Sequence, residues 1–234
     1  MTESFEKTKV AGSIAAGALD EVNNIIKPGI STSEIDKLCY EYINDHKAFS
    51  APLYYRGYPK SCCTSSNHVV CHGIPSEKIL NDGDILNVDV TAIKDGWHGD
   101  TSRMFVVGEC SVKAKKLIKT TYEAMMEAIK IIKANIKIGN IGYTIQKVVE
   151  AEGFSVVRDF CGHGIGKKFH ESPNVLHYGE KNSGQELKAG MIFTVEPMIN
   201  YGKFETKTLK DGWTAVTKDK SLSAQFEHTV GVTK

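Results

Sequence analysis

The 234-residue chain has no CxxC pair, no apolar run of membrane length and no excess of charge of either sign. Each absence removes a class of protein. The 6 cysteines fall at 39, 62, 63, 71, 110 and 161. Adjacent Cys62 and Cys63 make a poor disulfide framework, and without CxxC spacing a zinc site of that kind has no support. Free thiols in a reducing cytoplasm are the expectation. The start, MTESFEKTKV, lacks the cationic stretch and apolar block of a signal peptide. Nothing approaches the roughly 20 apolar residues needed to span a bilayer. With 29 Lys and Arg against 28 Asp and Glu the net charge is +1, and the lysines are scattered. No nucleic-acid site follows, because polyanion binders cluster their positive charge. No low-complexity segment or linker divides residues 1–234, so one domain is expected. At 41% hydrophobic the chain can bury one substantial core or two small ones.

What is present is a helix-helix-strand order that occurs twice. Val10, Ile14, Ala18, Val22 and Ile25 recur at helical spacing, and Pro28-Gly29 stops that helix. Ser31-x-x-Glu34 reads as a capping box for a second helix carrying Ile35, Leu38, Tyr42 and Ile43. Residues 50–75 read as loop and hairpin. Ile85–Ile93 and Trp97–Val107 read as strands around an Asp95-Gly96 hairpin turn. In the second cycle, Ile118, Tyr122, Met125, Ile129, Ile132 and Ile136 form one stripe, predicted to end near Gly139. Ile141, Ile145, Val148 and Val149 mark another helix, ended by Gly153. Strands are predicted at Gly153–Arg158, Met191–Met198, Trp213–Thr217 and Ala224–Val232. Two similar α+β halves packed together are therefore expected.

Five potential metal ligands sit on or beside these strands: Asp89, Asp100, His163, Glu196 and Glu227. With a two-residue turn at Asp95-Gly96, Thr91 lies opposite Asp100, and Asp89 shares its face. Asp89 and Asp100 then become diagonal neighbours with Cβ atoms roughly 7 Å apart. Two solvated strand carboxylates would look the same locally. Glu196 shares a face with Ile192 and Thr194, and Glu227 with Gln225 and Thr229. A lone charge in such apolar segments is costly to bury, and metal ligation removes the objection. His163 stands between Gly162 and Gly164, which favour close backbone approach or unusual dihedrals. A phosphate-binding glycine loop is the rival, but Cys161 and Lys168 stand where that motif needs Gly and Ser or Thr. Four carboxylates and an imidazole suit two divalent cations about a shared water, which is hydrolase chemistry. Oxygen-rich ligation does not distinguish Co, Mn, Fe or Zn. His72 and His170 lie in turn contexts able to present a side chain at a cleft, where they could contact a substrate amide or an oxyanion. An ordinary surface histidine explains either equally well. His46, His68, His98, His177 and His228 are taken as structural.

NxxVCHGIP, DxTxIKDGxHGDTSRMF, GHGIGxxFHExP, FTxEPMIN, KDGWT and SAQFEHT together resemble the type I methionine aminopeptidases of the bacterial kind. The resemblance covers nearly the whole chain and its motifs are specific. It implies a pita-bread α+β fold, with two pseudo-twofold halves and a central antiparallel sheet. It also implies removal of the initiator methionine when the second residue is small, by a bridging water attacking a metal-polarised carbonyl. By matched position, Asp89 chelates one metal and His163 and Glu196 the other, with Glu196 also handling a proton. Asp100 and Glu227 bridge. His72 and His170 contact substrate, and Tyr55, Tyr58, Cys63, Phe169 and Trp213 line the methionine pocket. Asn67, Val69 and Ser223 match a monovalent-cation site of main-chain carbonyls. Nascent polypeptide N-termini are the implied partners, with the ribosome left open as another, and a monomer is expected. Pro52 and Arg56 depart from commoner Cys and His, and the His72–Asp89 connection is one residue short, which puts local pocket shape in question. The N-terminal extension of eukaryotic type I members and the helical insertion of type II are not expected. A proline-specific peptidase and a non-catalytic binding protein on the same fold are the alternatives.

Overall fold

The computed structural model describes residues 3–233. Helix α1 (Glu3–Ile25) ends ahead of Pro28, and Gly29 turns the chain at φ 95°. Helix α2 (Thr32–Asp45) starts at the expected capping box, in which the Glu34 N–H donates to Ser31 Oγ at 3.2 Å and the Ser31 N–H donates to Glu34 Oε2 at 2.8 Å. There follow β1 (Phe49–Ser50), a single 3-10 turn at Tyr55–Gly57, β2 (Cys63–Ser66), β3 (Val69–Cys71), β4 (Ile85–Lys94) and β5 (Trp97–Val106). The last two form the predicted hairpin. Asp95 and Gly96 turn with φ of 50° and 77°, the left-handed pair that a two-residue hairpin loop requires.

The second cycle holds α3 (Val112–Lys130), α4 (Gly139–Ala151), β6 (Ser155–Val156), β7 (Gly162–Gly164), β8 (Glu171–Val175), β9 (Ile192–Val195) and β10 (Met198–Asn200). It closes with β11 (Thr206–Thr208), β12 (Ala215–Thr217), β13 (Ser223–Gln225) and β14 (Glu227–Gly231). Two expectations need correction. Helix α3 stops at Lys130, so Ile132 and Ile136 lie outside it, and Gly139 opens α4 instead of closing α3. Residues 135–138 instead run beside 185–187, joined by Asn135 N–H to Leu187 O, Leu187 N–H to Ile136 O and Ile138 N–H to Gln185 O. Ile132 closes a turn onto Ile129 O and Ile136 belongs to the segment beside Leu187, and both pack on the second core from outside the helix. Met191–Met198 and Ala224–Val232 are each two strands, parted at Glu196-Pro197 and at Phe226. Pro197 has no N–H for a continuing ladder.

An eight-stranded antiparallel sheet runs β1-β4-β5-β14-β9-β7-β8, with β2 also paired to β4. Two three-stranded sheets flank it, β13-β10-β6 and β11-β12-β3. Helix α1 covers β4 and β5, and α2 packs beside it next to β1 and β2, in one core that includes Leu19, Val22, Ile35, Leu86, Val88 and Phe105. Helices α3 and α4 form a second core with Phe193 and Val195 through Leu117, Met125, Ile141 and Ile145. Each such fully buried side chain contributes about 1.5–3 kcal/mol relative to exposure. Gly99 lets α1 lie against β5, because a Cβ there would overlap the backbone of Ala11 and Gly12. Strand alternation does the rest. Leu86, Val88 and Val90 face the helices, so Asn87, Asp89 and Thr91 face away from them. No helix among the described residues is long and apolar enough to cross a membrane.

Candidate metal centre

On the face away from the helices, the strand register sets carboxylates in neighbouring rows. Asp89, Ser102 and Glu227 stand opposite one another across β4, β5 and β14, and Thr91 stands opposite Asp100 one row along. Asp89 and Asp100 are the diagonal pair that the hairpin turn predicts. From the other half, β7 brings His163 and the end of β9 brings Glu196. One donor atom each from Asp100, His163 and Glu227 lies within 4.8 Å of the others. His163 Nε2 is 3.7 Å from Asp100 Oδ2 and 3.6 Å from Glu196 Oε1. All five predicted ligands line one cavity of about 480 Å³.

Neighbouring groups hold these side chains in place. The Thr91 hydroxyl donates to Asp100 Oδ1 at 2.6 Å. Thr194 Oγ1 accepts the His163 N–H at 2.9 Å and donates to Glu196 Oε1 at 2.7 Å. The buried His177 accepts the Glu196 N–H on Nε2 at 3.1 Å, which anchors the chain where β9 ends. Gly162 and Gly164 flank His163 because two strands press on it. A Cβ on Gly162 would overlap the Thr194 carbonyl, and one on Gly164 the Ser172 carbonyl. Close approach explains them; neither has positive φ.

Asp100, Glu196 and Glu227 are buried and Asp89 half-buried, and four carboxylates gathered this way cannot all be ionised without cations. Burial first, opposed by hydrogen bonds from Glu227 and Asp100, pushes Asp89 up to about 7. Burial, opposed by the Thr194 hydrogen bond, raises Glu196 to about 8. Burial and the neighbouring carboxylates hold Asp100 and Glu227 well above the ordinary range. Burial keeps His163 low, hence neutral and able to ligate. Asp89 Oδ1 and Glu227 Oε1 are buried without a hydrogen-bond partner. Hard oxygen donors, one neutral imidazole and unpartnered buried oxygens fit divalent cations.

The sign of the pH dependence follows. The folded, metal-free state holds protons that the unfolded chain gives up near pH 4, so this contribution is fully present below that pH. It is lost as the pH rises towards about 8, the folded value of Glu196. We expect the melting temperature of metal-free protein to fall over that window, and the rise on adding Mn²⁺ to grow from pH 5.5 to 8. Calorimetric titration in buffers of differing ionisation enthalpy should show protons released on binding near pH 6. Binding without proton release would contradict a protonated cluster.

The predicted substrate residues line the same cavity. Tyr55, Tyr58, Cys63, His72, Phe169, His170 and Trp213 are all there, with Pro52 and Arg56. Trp213 meets Tyr58 edge-on at 5.1 Å, and Phe169 packs against Tyr55 at 4.9 Å. His72 takes a left-handed backbone, φ 56°, and meets Phe160 edge-on at 5.4 Å. Burial holds it neutral. His170 is exposed on one edge but wedged between the rings of Tyr55 and His163, with Nδ1 3.0 Å from the Tyr55 hydroxyl. Desolvation and then His163 push it down to about 3. Asn67 and Ser223 lie together, the Ser223 N–H donating to Asn67 O at 2.8 Å, while Val69 pairs with Val216.

Several contributors had no sequence signal. His177 and His98 are set aside by their local context, yet His177 holds Glu196. His98 stacks on Phe169 at 5.7 Å and bonds Gly166 O through Nδ1 at 2.9 Å. Phe160, Cys161, Asn174 and Met198 also line the cavity. Adjacency to CGHG and to EPM could have pointed to Phe160, Cys161 and Met198, and adjacency to HESP to Asn174.

Residues 6–234 match the model of metallopeptidase family M24. The chain is 54% identical to the methionine aminopeptidase of Rickettsia prowazekii over 233 residues, covering 99% of this chain and 90% of that one. With the methionine aminopeptidase of Escherichia coli K12 the identity is 56% over 233 residues, covering 99% and 88%. The crystal structure of the Rickettsia prowazekii methionine aminopeptidase matches with TM-score 0.98 and 55% identity, over 100% of this chain and 95% of that one. Prolidase from Pyrococcus furiosus, 21% identical, matches with TM-score 0.80 over 100% of this chain and 62% of its own, a likeness of fold alone.

Proposed function

The chain belongs to metallopeptidase family M24, and from that premise we propose that its buried carboxylate cluster is the catalytic centre of a methionine aminopeptidase. The protein removes the N-terminal methionine from polypeptides, those with a small second residue being preferred. Two divalent cations would be held here, Asp89 serving one, His163 and Glu196 the other, and Asp100 and Glu227 both. When bound, they supply Lewis-acid polarisation of the scissile carbonyl, a water acidic enough to ionise near neutral pH, and a seat for the free α-amine.

The chain's own residues do the remaining work. Tyr55, Tyr58, Phe169 and Trp213 with the Cys63 thiol surround the methionine side chain, a flexible thioether suited to aromatic edges. Glu196, held by Thr194 on one oxygen, exchanges a proton through the other. If the Tyr55 hydroxyl donates to His170 Nδ1, Nε2 carries that ring's proton and points a donor at the developing oxyanion. His72 contacts the departing amide nitrogen. Main-chain carbonyls of Asn67, Val69 and Ser223 would hold a monovalent cation. On this reading the protein acts as a cytoplasmic monomer on nascent N-termini.

The observation that carries this reading is the convergence of five donors from both halves of the fold onto a cavity walled by aromatics. After reconstitution with Mn²⁺ or Co²⁺, the protein should release methionine from Met-Gly-Met and leave Xaa-Pro dipeptides intact. Cleavage of the proline peptides instead would assign it the other activity of this fold. Cleavage of neither would leave a binding protein.

A further inference from the structure

Among the charged side chains lining the catalytic cavity, Arg56 alone stands at the mouth without a carboxylate. Its guanidinium carbon lies 5.3 Å from the centroid of the Tyr55 ring, and its charge also acts on His170. No Asp or Glu oxygen lies within 4.0 Å of it among the described residues. The two other charged residues of the rim are turned elsewhere. Asp159 Oδ2 accepts the Thr206 hydroxyl at 2.5 Å, and the Glu171 carboxylate lies beside Gly166, on the Trp97 side. The backbone also presents Arg56 at a cost. Tyr54, Arg56 and Gly57 have φ of 65°, 49° and 88°, and left-handed conformations in two non-glycine residues persist only where the surroundings impose them. Tyr54 N–H to Tyr58 O and Gly57 N–H to Tyr54 O, at 2.8 and 3.2 Å, close that turn.

The inner end of the cavity is sealed by the buried carboxylates. A polypeptide whose methionine lies inside must therefore leave past the exposed rim, to which Arg56 and His170 both belong. We propose that Arg56 is a specificity-determining residue that recognises a carboxylate in the emerging chain, namely an acidic side chain at the third to fifth position of the substrate. The proposal rests on the aminopeptidase reading for the direction of the chain. An exposed guanidinium-carboxylate contact is weak and screened by salt, so the effect is a preference and not a requirement.

The test compares amidated peptides Met-Ala-Ser-Xaa-Ser, with Xaa as Glu, Gln or Lys, in wild type and in Arg56→Gln, Arg56→Lys and Arg56→Glu. Wild type should favour Glu over Lys about three- to tenfold in kcat/KM, chiefly through KM, and 0.5 M NaCl should erase most of it. Arg56→Gln should bring the ratio near one, Arg56→Lys should keep part of it, and Arg56→Glu should invert it. Moving Glu along the peptide locates the contact. Tripeptides with free and amidated ends test the other source of a carboxylate. Dependence on Arg56 confined to free termini would overturn the assignment to side chains, as would a Glu-to-Lys ratio unmoved by Arg56→Glu. Peptides of the same sequences with a non-hydrolysable first bond, titrated against the metal-loaded protein by tryptophan fluorescence, report charge preference without turnover. Failure of wild type to release methionine from any peptide would strike the aminopeptidase reading, while the fluorescence ratio would still decide for or against Arg56.

Discussion

Asp100→Asn and Glu227→Gln proteins should release no methionine above background from Met-Gly-Met, and should hold less metal than wild type. Both changes keep side-chain volume and remove one anionic oxygen. Glu227 stands in the row of Asp89 and Ser102, and Asp100 stands one row along, opposite Thr91. Each is thus between the donors of the first half and His163 of the second. Losing either leaves four ligands and a single shared carboxylate, too little anionic oxygen to hold two cations side by side. Misfolding can be told apart from this loss. With burial and mutual repulsion raising both carboxyls, the metal-free variants should melt no lower than metal-free wild type at pH 8. A variant that melts well below it has lost structure and says nothing about ligation. Near-wild-type turnover by either protein, at unchanged metal content, would sink the assignment.

How much of this was legible before folding depends on sequence distance. Asp89 and Asp100 could be placed together because one two-residue turn lies between them and strand alternation has a strict period. The same alternation named Glu196 and Glu227 as costly buried charges, but not their positions beside the hairpin. Those come from β14 inserting between β5 and β9, a pairing with no local signature. The Gly139 error has a related cause. Apolar residues at Ile132 and Ile136 continue the helical period of α3, yet both pack on the second core from outside the helix, Ile136 in the segment beside Leu187. Period alone does not separate the two. His177 shows the limit most plainly, since its role rests on one hydrogen bond to the backbone of Glu196, 19 residues away.

His170 and His72 are where a chemical role and an ordinary one compete most closely. Removing an oxyanion donor of this kind typically costs about 10²–10³-fold in kcat. His170→Ala should lose roughly that factor in kcat, with KM little moved. Tyr55→Phe should reproduce a fraction of the loss, since it deletes the hydroxyl 3.0 Å from Nδ1 and frees the tautomer. His72 meets Phe160 and Trp213 edge-on, and on the proposal that it contacts the departing amide, His72→Ala should lower kcat and raise KM together. Neither ring is placed as a metal ligand, and both variants should still bind two cations with unchanged melting behaviour. A His170→Ala enzyme with full kcat would return that residue to plain packing against Tyr55. Metal lost from either variant would place the ring in direct contact with the cations. His170 is the nearer candidate for that outcome, because its ring centroid lies only 4.1 Å from that of His163.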